Sequence, residues 1–422
     1  MQNKMTNLPQ GWEVKKLEEI ANIKGGKRLP KGENLLDNNT KFAYIRVADF
    51  QDNGTINLQN IKFINENTYN VLKNYKIYDD NLYVSIAGTI GKSGIIPKEL
   101  NGAILTENAV KLEYIQNNIS NKFMYFFTLS SSFKTQIQTS TKIVAQPKLA
   151  ITRLKQIEIP LPPLKEQERI VGILDESFAK IDESIKILEQ DLLNLDELIQ
   201  SALQKAFNPL KDNAKENYKL PQSWEWKSLG EIGFFIRGVS YKKEQLLSTK
   251  NENSVYLLRA NNIQNELNLD ELQIIPKELV VDKIIQNNDI LFAMSSGSKH
   301  IVGKNILLNN LNDFTFGAFC GLFRIINLNI CHKFIAYYLR SDSYKNYIFN
   351  ISKGSNINNL RFIDLEKFQI PLPPLKEQEQ IASHLDELSS HVKNLKQNYQ
   401  AQIKDLQELK NSLLDKAFKG NL

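Results

Sequence analysis

Apolar residues recur at alternating steps of four and three positions in two long stretches of the chain, residues 164–208 and 375–422. Proline occurs in neither stretch, and Gly172 is the one glycine in either before residue 420. Because residues three and four apart share one face of a helix, this spacing predicts a long helix in each stretch. Each helix has roughly 40 to 45 residues and spans on the order of 65 Å, the length of a spacer.

One face of each helix is expected to pair with another helix, because this alternation keeps the apolar residues along one seam. In the first helix the seam comprises Leu174, Phe178, Ile181, Ile185, Leu188, Leu192, Leu195, Ile199, Ala202 and Ala206. In the second helix it comprises Ile381, Leu385, Leu388, Val392, Leu395, Tyr399, Gln402, Leu406, Leu409 and Leu413. Gln402 either fixes the register of the pair or is a tolerated polar position.

The chain contains one unit written twice, with an offset of about 212 residues. The unit opens with Leu-Pro-Gln-x-Trp-Glu at residues 8–13 and again at 220–225. It closes with Ile-Pro-Leu-Pro-Pro-Leu-Lys-Glu-Gln-Glu at 159–168 and, without a change, at 370–379. Either two copies of one fold present different surfaces to different targets, or an old duplication has drifted.

Between these ends the two halves diverge, apart from weak echoes. Tyr44-Ile-Arg46 corresponds to Leu257-Leu-Arg259, and Gly91-Lys92 corresponds to Gly303-Lys304. The middles, 10–158 and 222–369, mix β-type runs at 42–47 and 289–294 with helical stretches near 121–137 and 332–348. They are typical of α/β or mixed α+β domains.

The repeat indicates how the long helices run. The first must carry the chain to a second globular unit and the second must return along it, so antiparallel packing with one domain at either end is the simplest arrangement. Helices that pair only between separate chains would satisfy the same pattern. The Pro-Leu-Pro-Pro runs at 160–163 and 371–374 are expected to be stiff joints between domain and helix, or alternatively docking ligands for another domain.

Composition excludes several classes of protein. A balance of 53 Lys and Arg against 47 Asp and Glu leaves +6 over 422 residues, which permits nucleic-acid binding without arguing for it. No membrane span or signal peptide is recognisable, so we expect a cytoplasmic protein with no membrane association. Cys320 and Cys331 are expected to be unpaired thiols, and the four histidines provide no ligand set for a metal.

Motifs for catalysis are missing from the sequence. Gly88-Thr-Ile-Gly-Lys-Ser93 has Ile86 where a phosphate loop needs glycine, and Ser298 takes that place before Gly303-Lys304. Glycine turns with an exposed lysine are expected at both places. The sequence has no methyltransferase motif, clustered nuclease signature or hydrolase elbow, so no cofactor is expected.

The doubled Leu-Pro-x-x-Trp-Glu and Ile-Pro-Leu-Pro-Pro-Leu-x-Glu-Gln motifs, each copy followed by a long helix, resemble the specificity subunits of type I restriction-modification systems. The resemblance extends from Leu8 to Lys416-Ala-Phe418. It implies an α/β (mixed α+β) fold with two pseudo-symmetric target recognition domains, separated by a long antiparallel two-helix coiled coil. The implied boundaries are 1–163 and 209–374 for the domains, the latter with a linker at 209–219, and 164–208 and 375–422 for the helices.

The resemblance also implies a function without catalysis. Each domain would read one half of a bipartite, asymmetric site in double-stranded DNA. Two methyltransferase subunits would bind this chain, with two restriction subunits in the full complex, and these partners would carry out methylation and ATP-dependent cleavage. Helix length would set the gap between the half-sites.

Basic and amide side chains in expected loops are our candidates for contact with DNA, because arginine can pair with guanine and lysine with phosphate. In the first domain they are Lys27, Arg28, Arg46, Lys92, Lys142 and Lys148. In the second they are Arg237, Lys242, Lys243, Arg259, Lys299, Lys304, Lys353 and Asn356. Solvated surface charge is the alternative for each of them.

Two other functions fit the pattern less well. A coiled-coil scaffold with two globular protein-binding ends would show the same helical periodicity, and the small net charge favours it slightly. A nuclease or methyltransferase acting alone is disfavoured by the missing motifs.

Overall fold

The computed structural model describes residues 8–140, 148–207, 221, 223–264, 266–280, 282–296, 301–352 and 359–422. The chain divides into two compact units, Met1–Leu188 with Gln400–Leu422, and Glu189–Tyr399. Each unit therefore contains one half of the repeat together with a part of both long helices.

The elements of the first half follow one another closely along the chain. In order they are β1 (Glu13–Lys16), α1 (Leu17–Ile20), β2 (Ala21–Gly25), β3 (Ala43–Ile45), β4 (Lys62–Phe63), α2 (Glu66–Val71), β5 (Lys76–Ile77), β6 (Leu82–Ser85), β7 (Ser93–Ile95), β8 (Ala103–Leu105), β9 (Ala109–Tyr114), α3 (Asn121–Leu129), α4 (Ser131–Ser140), α5 (Ile151–Leu154) and β10 (Glu158–Leu161). The first long helix, α6 (Leu164–Phe207), comes next.

The second half repeats this succession, except that its described residues show no counterpart of α2 and β5. Its elements are β11 (Glu225–Ser228), α7 (Leu229–Ile232), β12 (Gly233–Arg237), β13 (Ser254–Leu258), β14 (Gln273–Pro276), β15 (Ile290–Ala293), β16 (Asn305–Leu307), β17 (Phe314–Phe316), β18 (Cys320–Ile325), α8 (His332–Tyr338), α9 (Asp342–Ser352), α10 (Phe362–Glu366) and β19 (Gln369–Leu372). The second long helix, α11 (Leu375–Phe418), ends the succession.

Corresponding strands pair alike in both units, apart from β5, which adds a fourth strand to the second sheet of the first unit. An antiparallel sheet has the order β2-β9-β6-β7 in the first unit and β12-β18-β15-β16 in the second. Each unit also has a second sheet that contains one parallel pair of strands. This pair is β3 with β8 in the first unit and β13 with β17 in the second. Short antiparallel pairs, β1 with β10 and β11 with β19, join the opening motif to the proline-rich closing motif. The two halves are thus copies of one mixed α/β fold.

The core of the first unit packs the antiparallel sheet against α3 and against both long helices. Leu112 of β9 and Phe123 of α3 share one buried cluster with Leu174 of α6 and Phe418 of α11. The rings of Phe123 and Phe418 have centroids 5.1 Å apart. Full burial of one such side chain contributes about 1.5–3 kcal/mol, so the helix ends are integral to this core.

The core of the second unit uses the opposite ends of the same helices. Phe207, at the end of α6, lies 5.2 Å from Phe334 of α8, measured between ring centroids. Leu385, near the start of α11, belongs to the same cluster. The start of α6 therefore meets the end of α11 in the first unit, and the end of α6 meets the start of α11 in the second.

Each unit has an ion pair between α6 and α11, and both pairs fit helices that run antiparallel. Lys410 of α11 lies 2.5 Å from Asp182 of α6 in the first unit, and Lys396 pairs with Asp196 in the second. The expected fold class, mixed α/β with a long antiparallel helix pair, is confirmed.

The expected seam of α11 is wrong at three positions. Leu395, Gln402 and Leu409 are exposed, whereas Ile403 is half-buried. A straight helix has 3.6 residues per turn, so a strict period of 3.5 drifts away from the contact face by about 20° in each heptad. Gln402 lies outside the contact face and does not fix the register there. The seam residues expected in α6 are buried or half-buried.

Two other local expectations need correction. The helical stretches near 121–137 and 332–348 are each two helices, with breaks at Ser130 and at residues 339–341. The proline-rich run is only partly a joint, because Pro160 lies in β10 opposite Val14 of β1. A two-stranded sheet has only edge strands, where a proline that cannot donate a ladder hydrogen bond is tolerated.

Candidate nucleic-acid interface

Five segments of the first unit meet where the two sheets adjoin. We call residues 26–28, 45–49, 86–92, 105–109 and 148–149 the first loop cluster. Four backbone hydrogen bonds of 2.8–3.0 Å join them, from Lys27 N to Leu105 O, Thr106 N to Ile45 O, Ile86 N to Asn108 O and Leu149 N to Ile86 O. The cluster therefore has a fixed backbone on which its side chains are displayed.

The second unit builds a matching cluster from matching hydrogen bonds. The second loop cluster comprises residues 238–243, 258–262, 293–296, 303–304, 316–320 and 359–360. Its bonds of 2.7–2.9 Å run from Val239 N to Phe316 O, Gly317 N to Leu258 O, Met294 N to Phe319 O and Leu360 N to Met294 O. These pairings define which positions of the two units correspond, even where the sequences have diverged.

Glycine permits this close approach in both clusters. A Cβ atom on Gly26 would lie 2.1 Å from the carbonyl oxygen of Thr106, and one on Gly238 would lie 2.0 Å from that of Gly317. Both contacts are with backbone, which cannot move aside cheaply. The spacing of the segments depends on glycine at these two positions.

Both arginines of the first loop cluster form ion pairs. Arg28 Nε lies 2.7 Å from a carboxylate oxygen of Glu107, and Arg46 pairs with the buried Asp49. Burial acts to raise the pKa of Glu107. Hydrogen bonds and the charge of Arg28 have the larger combined effect, so the pKa of Glu107 is lowered. The hydrogen bond to Asp49 raises the pKa of Arg46.

The second loop cluster replaces these ion pairs with neutral residues. Ser240 corresponds to Arg28, Ala318 to Glu107 and Asn262 to Asp49, while the arginine itself is retained as Arg259. The Nε atom of Arg259 is buried and has no hydrogen-bond partner among the described residues. One backbone frame thus carries ion pairs in one unit and, in the other, an arginine for which the described residues provide no carboxylate partner.

Arg259 lies in a cleft of about 730 Å³. The cleft is lined by Val239, Ser240, Tyr241, Lys243, Leu246, Arg259, Ala260, Asn261, Gln273, Ser295, Ser296, Gly317, Ala318, Phe319 and Cys320. The hydroxyl of Tyr241 donates to Gln273 Oε1 at 2.6 Å. Burial raises the pKa of Tyr241, and the charge of Arg259 opposes that shift. The lining combines two cations, several hydrogen-bonding groups and two aromatic rings, without a carboxylate among the described residues.

The structure brings most of the described candidate residues to the two clusters. In the first, Lys27, Arg28 and Lys148 are exposed, whereas Arg46 and Lys92 are half-buried. In the second, Arg237 ends β12 beside the cluster, Lys242, Lys243 and Lys304 are exposed, and Arg259 is half-buried. Lys304 also lines a cleft of about 820 Å³ that shares Asn261 with the cleft of Arg259. Lys142, Lys299, Lys353 and Asn356 lie outside the described residues.

Both glycine-lysine motifs lie in turns, as expected. Gly88 and Gly91, with φ of 75° and 90°, lie between β6 and β7, and Gly303, with φ of 87°, lies between β15 and β16. Lys92 departs from the expectation, because its ammonium group pairs with Asp52 at 2.7 Å. Lys304 is exposed, as expected.

Sequence reasoning missed several residues of these clusters. Asp49 and Asn262 each lie three positions after the matched arginine. Comparing the two halves for three residues beyond Tyr44-Ile-Arg46 and Leu257-Leu-Arg259 would have found them. Phe319 and Tyr241 gave no such signal, since an exposed and a buried aromatic residue look alike in a sequence. Gln167 and Gln378, within the closing motif, are buried and were noticed only as part of the repeat.

Three further properties of the described residues bear on earlier expectations. Cys320 and Cys331 are unpaired thiols, and burial raises the pKa of Cys320 to about 12. In the described ranges no three His, Cys, Asp or Glu side chains are grouped as metal ligands. No helix in the described part of the chain is long and apolar enough to cross a membrane.

Comparison with solved structures supports the fold. A chain described under the structural basis of complex assembly and conformational transition of the type I R-M system superposes with a TM-score of 0.79 at 21% identity, covering 99% of this chain and 100% of that one. The HsdS subunit from Thermoanaerobacter tengcongensis gives 0.61, also at 21% identity, with complete coverage of both chains. At such identity the likeness concerns the fold alone.

Curated relatives include the EcoKI specificity subunit of Escherichia coli strain K12, 39% identical over 206 residues. That match covers 48% of this chain and 44% of the relative, so the chain spans less than half the length of that protein. The same holds for the StySPI specificity subunit of Salmonella potsdam, 37% identical over 206 residues with the same coverage of both chains. The EcoBI specificity subunit of Escherichia coli matches along 100% of this chain and 88% of its own, at 24% identity.

The family model described as the type I restriction modification DNA specificity domain matches residues 9–192 and again 221–405. Each match contains one half of the repeat and one loop cluster. The resemblance drawn from the doubled motifs is therefore confirmed, and the chain belongs to the family of type I restriction-modification specificity subunits.

Proposed function

We propose that this protein is the sequence-specific DNA-binding subunit of a cytoplasmic type I restriction-modification complex, and that it recognises a bipartite, asymmetric site. Residues 1–163 and 209–374 act as the two target recognition domains, and 164–208 and 375–422 act as spacer helices. The observation that carries the proposal is the pair of loop clusters, which share a hydrogen-bonded backbone frame and differ in side-chain chemistry.

This combination suits a bipartite, asymmetric site. A shared frame lets both domains approach a duplex in one way, while different side chains at matched positions read different bases. The two clusters differ in charge and in hydrogen-bonding groups at three matched positions. The first cluster has Arg28, Glu107 and Asp49 where the second has Ser240, Ala318 and Asn262.

Exposed lysines of the clusters serve a different purpose from half-buried arginines. Lys27, Lys148, Lys242, Lys243 and Lys304 are exposed, and their flexible ammonium groups contact phosphates, which fixes the domain on the duplex without reading sequence. Arg28 and Lys92 of the first loop cluster and Arg237 at the end of β12 are further candidates for contact with DNA. Lys142, Lys299, Lys353 and Asn356, which lie outside the described residues, remain candidates from the sequence.

The chemistry belongs to partner subunits. Two methyltransferase subunits bind this chain and are directed by it to the site, and two restriction subunits join the full complex for ATP-dependent cleavage. The family relationship supports this assignment, because the relatives are named as specificity subunits. The present chain is accordingly a non-catalytic subunit.

The helix pair sets the separation of the half-sites. Inserting seven residues after Leu188 in α6 and seven after Tyr399 in α11 keeps the antiparallel register and adds on the order of 10 Å, about the length of three base pairs. We expect methylome sequencing of a strain with this variant to show both half-site sequences unchanged and a longer unspecified gap. The matched control carries the insertion in α6 alone, which misaligns the pairs Asp182–Lys410 and Asp196–Lys396, and should lose methylation.

An unchanged gap in the doubly extended variant, with wild-type methylation, would show that the helices do not measure the site. Absence of any duplex retardation by the chain bound to its methyltransferase partner, tested on randomised DNA, would instead favour the protein-binding scaffold.

A further inference from the structure

We propose that Arg259 reads a guanine in the half-site bound by the second domain, and that its counterpart Arg46 is a structural residue which reads no base. The exchange of Asp49 for Asn262 decides the difference. This inference rests on the proposed function, since it assigns a specificity-determining residue to one of the two recognition surfaces.

The guanidinium of Arg46 is already occupied within its own domain. Its Nε lies 3.1 Å from Asp49 Oδ2 and its Nη2 lies 2.5 Å from Oδ1, a bidentate pair. The same Nη2 donates to the carbonyl oxygen of Asn60 at 3.0 Å. Asp49 is only 1% exposed, so its charge needs this partner. Releasing Arg46 toward DNA would leave a buried carboxylate unpaired.

Asn262 occupies the matched position but cannot hold its arginine in the same way. Its Oδ1 accepts the backbone N–H of Arg259 at 2.8 Å, and its Nδ2 donates to the carbonyl oxygen of Asn268 at 2.8 Å. A neutral amide has one acceptor oxygen and no charge, so it cannot form the bidentate ion pair that Asp49 forms with Arg46. The turn after the strand is therefore preserved while the guanidinium is released.

Arg259 is left with unused hydrogen-bonding capacity inside the cleft. Its Nη2 reaches only a distant carbonyl, that of Glu271 at 3.4 Å, and its Nε is buried without a partner among the described residues. The described lining contains no carboxylate, and Lys243 adds a second positive charge. A buried, unsatisfied donor on a cation calls for an acceptor from outside the domain.

Two features of the cleft favour a base over a phosphate. Phe319 lies in the lining with 68% of its surface exposed, so an apolar ring stands at the place where the ligand would enter. Tyr241 lines the same cleft beside Arg259. Flat aromatic rings suit the edge or face of a base, whereas a phosphate gains nothing from them. Guanine presents O6 and N7 side by side, which matches the fork of two N–H donors on arginine.

The test compares four variants, each assembled with the methyltransferase partner, by methylome sequencing and by binding to duplexes that differ at one position. For Arg259→Gln we expect a loss of roughly tenfold or more in discrimination at one guanine of the second half-site, with the first half-site unchanged. Asn262→Asp should produce the same relaxation although Arg259 remains, because the new carboxylate would capture it. Arg46→Gln should lower the melting temperature while both half-site sequences are retained. Arg340→Gln, an exposed arginine outside both clusters, is the matched control and should change neither property.

Asn262→Asp also removes the donor to Asn268, so its folding is checked by its melting temperature. If this variant does not fold, Arg259→Lys, which keeps the charge and loses the fork, should still relax the guanine position.

The inference is overturned if Arg259→Gln methylates the same sites with the same preference. It is also overturned if affinity falls equally for all sequences with a weaker dependence on salt, which identifies a phosphate contact. Relaxation of the first half-site by Arg46→Gln would overturn the structural assignment of Arg46. A wild-type complex that methylates no bipartite site would instead refute the proposed function.

Discussion

The side-chain amide of Gln167 donates a hydrogen bond of 2.9 Å to the carbonyl oxygen of Pro162, which lies just before the helix that contains the glutamine. The same side chain also donates to the carbonyl oxygen of Asn118 and accepts the N–H of Ser120, the residue that caps α3. The second unit repeats the arrangement, with Gln378 donating to Pro373 at 2.7 Å. The glutamine of the closing motif thus ties the start of each long helix to its domain.

Loss of this glutamine should destabilise the unit that contains it. Gln167→Ala leaves three backbone groups without a partner in a buried setting, so we expect the free energy of unfolding to fall by about 1–3 kcal/mol. Urea denaturation followed by circular dichroism measures the change. Gln190→Ala, on the exposed face of the same helix, is the control. Equal effects of the two substitutions would show that the buried hydrogen bonds are not stabilising.

The phenylalanines at the ends of the long helices should be essential to both cores. Phe418 lies 5.1 Å from Phe123 and 5.4 Å from Phe127 between ring centroids. We expect Phe418→Ala to cost about 3–5 kcal/mol of stability through the cavity it creates, and Phe207→Ala to act likewise on the second unit. Leu409→Ala, at a position 47% exposed on α11, should change stability by less than about 0.5 kcal/mol. Comparable losses at positions 409 and 418 would argue against the observed packing.

Alanine at the glycine contacts should disturb the loop clusters. Gly26→Ala and Gly238→Ala force a methyl group against a carbonyl oxygen, so we expect lower melting temperatures, a loss of about 1–3 kcal/mol, and weaker DNA binding by the assembled complex. Gly172→Ala is the contrasting variant, because a Cβ there meets no atom within 4 Å beyond the backbone of its own helix turns. It should stabilise α6 by up to about 1 kcal/mol. Destabilisation by Gly172→Ala would contradict the helical environment of that residue.

Acidification should weaken the second unit through His332. Burial lowers the pKa of this residue below its ordinary value of 6.5, although the charge of Asp289 acts in the opposite direction. The unfolded chain therefore binds the proton more readily than the folded one. Stability falls as the pH drops through 6.5 toward the lower folded pKa, and the contribution is restored above 6.5.

The measurement for His332 is the difference between wild type and His332→Gln in urea midpoint at pH 7.5 and pH 5.5. We expect the wild type to lose more stability on acidification than the variant. His391→Gln, at an exposed position of α11, should retain the pH dependence of the wild type. Identical pH profiles for wild type and His332→Gln would remove His332 as a source of acid sensitivity.

The long helices and the repeat could be predicted because their signals are local or are written twice. The periodicity near 164–208 needed no knowledge of the partner helix, and the ten identical residues at 159–168 and 370–379 identified matching places directly. The sequence predicted less accurately which residues of α11 contact the neighbouring helix. Leu395 and Leu409 fit the pattern and are nevertheless exposed, because helix geometry, and not apolar character, decides which residues face the neighbour.

By itself, the sequence determined that two copies of one mixed α/β unit are each followed by a long helix, and which arginines occupy matched positions. Only the tertiary structure decided that Arg46 is held by Asp49, while the Nε of Arg259 has no partner among the described residues and lines a cleft with the exposed Phe319. The physical reason is that pairing and burial depend on segments far apart in the chain, such as those joined by the bond from Lys27 to Leu105. Periodicity reports only neighbours a few residues away, so it cannot distinguish an arginine that holds a domain together from one that faces a ligand.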